Sequence, residues 1–297
     1  ADLRAGDRVV MANQRRDMSD SGLPSKNRVN KVLREALLAP RALEGEAADY
    51  WQVVDDECAS TIGRVETALA GFTDAPVGRP KRPEVVAQKL ARHEGLQVLS
   101  VDDLAGVRVI VGSRFEQDVL ADHIADVLNI SNPRCWVDRR ADPRSGYRAL
   151  HLLDRSGYVR CEVQIRTTLQ HRWAEAFEGL AEVVGRGLRY GEFKAPPGSA
   201  VAQIVGSLAD LSDAIATAED ADNVLLGVTA RRRLSKEPEW TGLLGDMSLG
   251  REQYLQAAVS VRCAQGPLVR ALESTERAIA GIRGLKEDGV DVLRLGL

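Results

Sequence analysis

The chain has 297 residues, a formal net charge of −3 and 44% hydrophobic residues, enough for one large domain or for one domain with helical additions. No run of eighteen or more apolar residues occurs, which argues against a membrane-spanning helix; the opening ADLRAGDRVVMANQRRD also lacks the apolar stretch of a signal peptide. Four scattered cysteines without a Cys-x-x-Cys pair, and four histidines without a His-Glu-x-x-His motif, argue against a zinc site, a disulfide framework and a metallohydrolase centre, and a reducing cytoplasm is the expected setting.

In chain order, residues 1–24 are polar with Gly and Pro and read as a flexible lead-in. Ser25 to about Leu38 reads as a helix with Ser25 as N-cap and Pro40 as terminator. Between Ala47 and Leu69, Trp51, Val54, Cys58, Ile62, Val65 and Leu69 recur every three to four residues, a second helix. A third starts near Pro83, where the missing N–H costs nothing, and runs to His93. Val107–Val111 is a short apolar strand, Phe115–Leu128 an amphipathic helix and Cys135–Arg139 another strand. Ala149–Asp154 and Tyr158–Arg166 alternate with period two around Arg155-Ser156-Gly157, a hairpin pattern, and Thr167–Val184 is helical. Beyond Pro196-Pro197 the pattern is helical again, over Ser199–Ala218 and about Ser248–Ile282, with a basic, Trp-bearing stretch between them. This order gives an α/β core flanked by helices, with a helical C-terminal extension over 196–297.

Four clusters along the core carry chemistry. Arg79, Lys81 and Lys89 place three cations around a helix start, where free N–H groups already favour anions. Asp103 stands just before the Val107 strand, in Asp103-Leu-Ala-Gly106-Val-Arg108. Tyr147 and His151 follow Gly146 and supply a stacking ring and an imidazole. Glu162, Gln164 and Arg166 occupy alternate positions of one strand and share a face, which is poor core material because each group would need a buried partner. Two carboxylates and a ring of cations suit a magnesium–nucleotide centre, since Mg²⁺ takes one or two carboxylates and fills its shell with phosphate and water. Taken singly, each cluster also fits a plain role: a solvated helix start, a loop-closing Asp, a hairpin edge, a cross-strand ion pair.

The strings R-x-K, D-x-x-G-x-R, G-Y-R-x-x-H and E-V-Q-I-R-T-x-x-x-H-x-W-A-E, the last running from Glu162 through His171 and Trp173 to Glu175, closely resemble the synthetase domain of RelA/SpoT-type alarmone synthetases over about Ser25–Val184. The resemblance implies a nucleotidyltransferase-like mixed sheet in a synthetase domain at 25–195, and a GTP/GDP pyrophosphokinase that moves the β,γ-diphosphate of ATP to a ribose 3′-hydroxyl. It implies Asp103 and Glu162 as catalytic and Mg²⁺-binding acids, with Glu162 also placed to take the hydroxyl proton. Arg79, Lys81, Lys89 and Arg108 would bind ATP, and Tyr147, Arg148, His151, Gln164 and Arg166 the acceptor, with Arg139 and Arg140 as further phosphate ligands. Ala149 and Val85 stand where many members carry Ser, which loosens the acceptor assignment without removing a charge. No histidine precedes Arg79, so a His-Asp hydrolase domain is not expected, and the layout resembles a single-domain small synthetase. Some short members are toxins paired with an antitoxin, and that branch leaves adenosine nucleotides or the tRNA 3′ end as alternative acceptors to GDP or GTP. The C-terminal helices could serve a homo-oligomer or an antitoxin. A non-catalytic nucleotide-binding module is the reading from outside enzymology.

Overall fold

The computed structural model describes residues 22–39, 42–70, 76–234 and 251–294, with side chains omitted for 222, 224–234 and 251–265. The lead-in expected over 1–24 falls almost wholly outside these residues, as does the stretch around Trp240. Helices α1 (Lys26–Leu38) and α2 (Glu46–Ala68) come first, followed by strand β1 (Val77–Pro80), helix α3 (Pro83–Arg92), β2 (Ala105–Val111) and α4 (Arg114–Val127). Strands β3 (Trp136–Asp138), β4 (Leu150–Asp154) and β5 (Cys161–Thr167) precede helices α5 (Thr168–Val184), α6 (Ala200–Leu234) and α7 (Arg251–Glu287). The result is α/β: a five-stranded mixed sheet in the order β1-β2-β5-β4-β3, flanked by helices and followed by a helical C-terminal region. Among the described residues, no helix is long and apolar enough to cross a membrane.

Local sequence explains the boundaries. Ser25 caps α1 by accepting from the Arg28 N–H, Pro83 sits in the first turn of α3, and Thr167 with Gln170 forms a capping box on α5. In β2, Val107, Val109 and Val111 are buried while Arg108 is half-buried and Ile110 exposed. In β5, Val163 and Ile165 are buried and Glu162 and Gln164 half-buried. Strand β3 pairs antiparallel with β4, Val137 opposite His151. Two features depart from expectation. β1 was not foreseen, because Val-Gly-Arg-Pro reads as a breaker. Helix α6 runs to Leu234, sixteen residues past the expected Ala218.

The described chain divides into two compact units, and β2, β4 and β5 each run from one into the other. The first holds α1, α2, β1 and α3, the start of β2, and Leu153–Val163. Its core includes Val29, Leu33, Val54, Val86 and Leu90. Buried Asn30 ties α1 to the turn before β2, accepting from Leu99 N–H at 2.8 Å and donating to Gln97 Oε1 at 3.1 Å. The second unit holds Arg108–Leu152 and the described residues from Gln164 onward. There Trp173, Phe177 and Leu180 of α5 pack with Leu208, Leu211 and Ile215 of α6 and Leu268, Leu272 and Ile279 of α7.

Candidate active site

In the first unit, the loop before β2 carries two adjacent acids that turn to different partners. Asp102 accepts from Arg155 Nε and Nη2, both at 2.9 Å, and from Arg160 Nη1 at 2.8 Å, and so pins the β4–β5 connection. Asp103 instead accepts from Lys89 Nζ at 2.7 and 2.8 Å and from Lys81 Nζ. Its side chain is only 18% exposed. Burial pushes its carboxyl up, but the charges of Lys81 and Lys89 and their hydrogen bonds outweigh that and hold it below the ordinary aspartate range. The backbone fixes the trio, because Lys81 N–H donates to Leu104 O at 2.8 Å and so locks the end of β1 to the Asp103 loop. Arg79 lies exposed on β1, two residues ahead, and Glu162 half-buried on β5.

In the second unit the remaining polar residues form another cluster. The Gly146 turn has both central residues at positive φ, Ser145 at 50° and Gly146 at 84°, as type I′ turns require. Tyr147 N–H closes it on Arg144 O at 2.9 Å. A Cβ on Gly146 would stand 2.8 Å from Trp173 Cζ2, so only glycine fits. Tyr147 Oη meets His151 Nε2 at 3.0 Å, and Arg166 donates to the same oxygen from Nη2 at 3.0 Å while its guanidinium lies 4.9 Å from the Tyr147 ring centre. Arg166 also donates to Gln164 Oε1 at 3.0 Å. Tyr147, His151, Gln164 and Arg166 are therefore one connected group.

Arg108 pairs with Glu175 at 3.0 Å, and His171 Nδ1 lies 3.9 Å from the same carboxylate. Burial holds the His171 imidazole below its ordinary range; Glu175 pulls it the other way, and Arg108 and Arg166 push it further down. Three buried nitrogens here have no hydrogen-bond partner: Arg108 Nε, Arg166 Nη1 and His171 Nδ1. Buried polar groups are normally satisfied, and Arg114 Nε at the start of α4 is a fourth such atom. Trp173, on the other side of α5, is a core residue, stacked on Phe177 at 5.0 Å and donating to Leu208 O at 2.6 Å.

Arg139, Arg140 and the acceptor candidate Arg148 all have partners within the protein. Arg140 is ion-paired with Asp118 and Asp138, and Arg139 with Asp142 at 3.3 Å. Arg148 donates to Ser212 Oγ at 3.0 Å, to Asp213 Oδ1 at 2.7 Å and to Arg140 O. Sequence reasoning missed those α6 residues and Glu219, which accepts from Thr167 Oγ1 and, at 2.7 Å, from Gln170 Nε2. A signal was present. Leu208, Leu211, Ser212, Ile215, Ala218 and Glu219 form the buried stripe of α6, and Ser and Glu interrupt it seven residues apart.

Among the described residues, no group of three or more His, Cys, Asp or Glu side chains lies together as a metal cage. The ionised Asp103 is a hard oxygen donor, of the kind Mg²⁺ takes when phosphate and water complete its shell.

A family profile described as "Region found in RelA / SpoT proteins" matches residues 78–182. An uncharacterized protein of Mycobacterium tuberculosis (strain ATCC 25618 / H37Rv) is 35% identical over 207 residues, covering 68% of this chain and 72% of that protein, and one from Mycobacterium bovis matches equally. Among solved structures, the small alarmone synthetase 1 from Bacillus subtilis aligns with a TM-score of 0.47 at 18% identity, covering 61% of this chain and 98% of that one. Small alarmone synthetase 2 from the same organism aligns at 0.39 and 21% identity, covering 69% and 97%. The chain belongs to the RelA/SpoT family of synthetases.

Proposed function

We propose that this protein is an ATP-dependent pyrophosphokinase that moves the β,γ-diphosphate of ATP to the 3′-hydroxyl of GDP or GTP and releases AMP. Family membership supports pyrophosphotransfer chemistry in general. The observation that carries the reading is the Lys81–Asp103–Lys89 cluster. Two ammonium groups on one carboxylate leave a net positive charge in a partly buried place. A polyphosphate entering there takes the lysines and leaves Asp103 an open oxygen donor. Mg²⁺, held by Asp103 and Glu162, would neutralise charge on the phosphoryl oxygens.

The other roles follow from chemistry. Arg79 is a flat cation for the adenine face, and Arg108, with an unpartnered Nε, a ligand for ATP phosphate. Glu162 takes the proton of the attacking 3′-hydroxyl as the new O–P bond forms and the α,β-bridging bond breaks. Tyr147 carries Arg166 on its ring and supplies the aromatic group for the acceptor base. His151, Gln164 and the unpartnered Arg166 Nη1 suit acceptor ribose and phosphate.

A tRNA acceptor would instead need a basic track for its backbone, for which the sequence offers Arg15-Arg16, Lys26-Arg28-Lys31 and Arg231-Arg232-Arg233. On α1, Lys26 donates to Gly157 O at 2.8 Å and Arg28 pairs with Glu46 at 2.6 Å. The Arg15-Arg16 and Arg231–Arg233 side chains lie outside the described residues.

The test is transfer of label from [γ-³²P]ATP with GDP, GTP, ATP or deacylated tRNA offered in parallel. Label in a guanosine product with equimolar AMP is the expected result, and Glu162→Gln should slow it by about 10² or more. Label in tRNA or an adenosine product would replace the acceptor. AMP release unaffected by Glu162→Gln would overturn the catalytic assignment.

A further inference from the structure

We infer that helix α6 positions the acceptor side of the site, with Ser212 and Asp213 setting the Gly146–Arg148 turn and Glu219 setting Thr167, so that Tyr147 and Arg166 meet. The inference rests on the acceptor reading above for its functional meaning, but the clasp itself is geometric. Ser212 is 2% exposed and Glu219 6% exposed, both within an otherwise apolar stripe. A buried hydroxyl and a buried carboxyl are costly there unless satisfied, and both are.

The Ser212 hydroxyl uses both its capacities on the turn, donating to Gly146 O at 2.5 Å and accepting from Arg148 Nε at 3.0 Å. Asp213 adds a bond to Arg148 Nη2. The residues on both sides of Tyr147 are thus held by α6. Thr167, next to Arg166, is held by the same helix seven residues on, because its hydroxyl donates to Glu219 while accepting from Gln170 N–H at 3.1 Å. Asp220 extends the contact to Arg114 at the start of α4. The geometry therefore brackets the Tyr147–Arg166 pair within one residue along each segment. The turn needs such support, since Ser145 at positive φ is conformationally costly. Arg148 is accordingly a positioning residue, three of whose five N–H donors go to Ser212, Asp213 and Arg140 O.

The experiment compares Ser212→Ala, Asp213→Asn and Glu219→Gln with Asp210→Ala, an exposed α6 position outside the clasp. Readouts are KM for acceptor and for ATP, kcat, and hydrogen exchange of the 144–149 and 166–168 amides. Ser212→Ala should raise acceptor KM about tenfold, the effect of leaving one buried acceptor unpaired, with ATP KM within twofold of the parent. Its 144–149 amides should exchange faster, while Glu219→Gln should act first on 166–168. Asp213→Asn, at a surface position that endangers folding least, should show the same pattern more weakly, and Asp210→Ala none. Ser212→Ala combined with Arg148→Ala should cost less than the sum of the two single variants, because the Ser212–Arg148 bond is lost in both. Unchanged exchange in both segments, or equal rises in acceptor and ATP KM, would overturn the inference. If the parent protein transfers to no acceptor, the functional reading falls, and the exchange data still decide whether α6 sets the turn.

Discussion

Asp103 and Glu219 are both withdrawn from water, yet they shift in opposite directions, and the difference lies in who faces them. Two lysines depress Asp103, while Glu219 meets mainly neutral donors, Thr167 and Gln170, with Arg114 too weak to offset burial, so its pKa is raised. The linkage signs follow. Asp103 contributes stability that is present above the unfolded aspartate value of about 3.9 and is lost as pH falls through its lower folded value. Glu219 contributes stability that is present below about 4.3 and is lost as pH rises through its higher folded value. Urea unfolding from pH 3 to 8 should therefore show Asp103→Asn flattening the acid limb and Glu219→Gln flattening the decline above pH 4.3. Asp103→Asn should also cost about 1–3 kcal/mol at neutral pH, below the full penalty for a deeply buried pair because Lys89 is one-third exposed. Reversal of either slope would mean the partners named here do not control that acid. Asp103 was legible in the sequence because an acid before an apolar strand, among cations, is conspicuous. Glu219 was not, because a lone acid in a helical stripe reads as a surface position until its partners are known.

At the level of elements, most were readable from local signals, and β1 was the exception. The cap of α1, the third-helix proline and the alternation over β4 and β5 announce themselves, since each rests on particular residue types at particular positions. β1 does not. Its four residues include a glycine and a proline, and it is a strand because it pairs with β2, with α2 packed against it. A Cβ on Gly78 would stand 2.2 Å from Ile62 Cγ2 and 2.9 Å from Glu66 Oε1, so the glycine lets β1 approach α2. Gly78→Ala should destabilise the protein by about 1–3 kcal/mol, the usual range for overpacking, and should shift Arg79 and Lys81, which follow on the same short segment. A lowered melting temperature with weakened ATP binding and unchanged acceptor binding is the expected pattern. Gly146→Ala should do the converse, because its clash is with Trp173 and Ser212: weaker acceptor binding with ATP binding intact. The two glycines thus make a reciprocal pair, measured by titrating each nucleotide separately.

On the scale of the whole chain, sequence patterning separated an α/β core from a helical extension, but it assigned the extension no part in the site. Periodicity reports which face of a helix is apolar and is silent about which neighbour covers it. In the second unit that neighbour is α5, the helix carrying the most specific motif of the chain. Leu208, Leu211 and Ile215 of α6, with Leu268, Leu272 and Ile279 of α7, cover Trp173, Phe177 and Leu180. At about 1.5–3 kcal/mol for each large apolar side chain buried, those six residues contribute on the order of 10 kcal/mol, as much as the net stability of a typical domain. A chain ended at Pro196 should therefore fail to form a native second unit, although it keeps every motif residue from Arg79 to Glu175. The measurement is near-ultraviolet circular dichroism of the Trp173 environment together with urea unfolding of the shortened chain. Loss of the aromatic signal and a broad transition are expected, with exposed apolar surface binding a hydrophobic dye. A sharp transition at a urea midpoint close to the parent's would instead show that α5 is covered well enough without α6 and α7, and the helical region would then be an appendage to the synthetase.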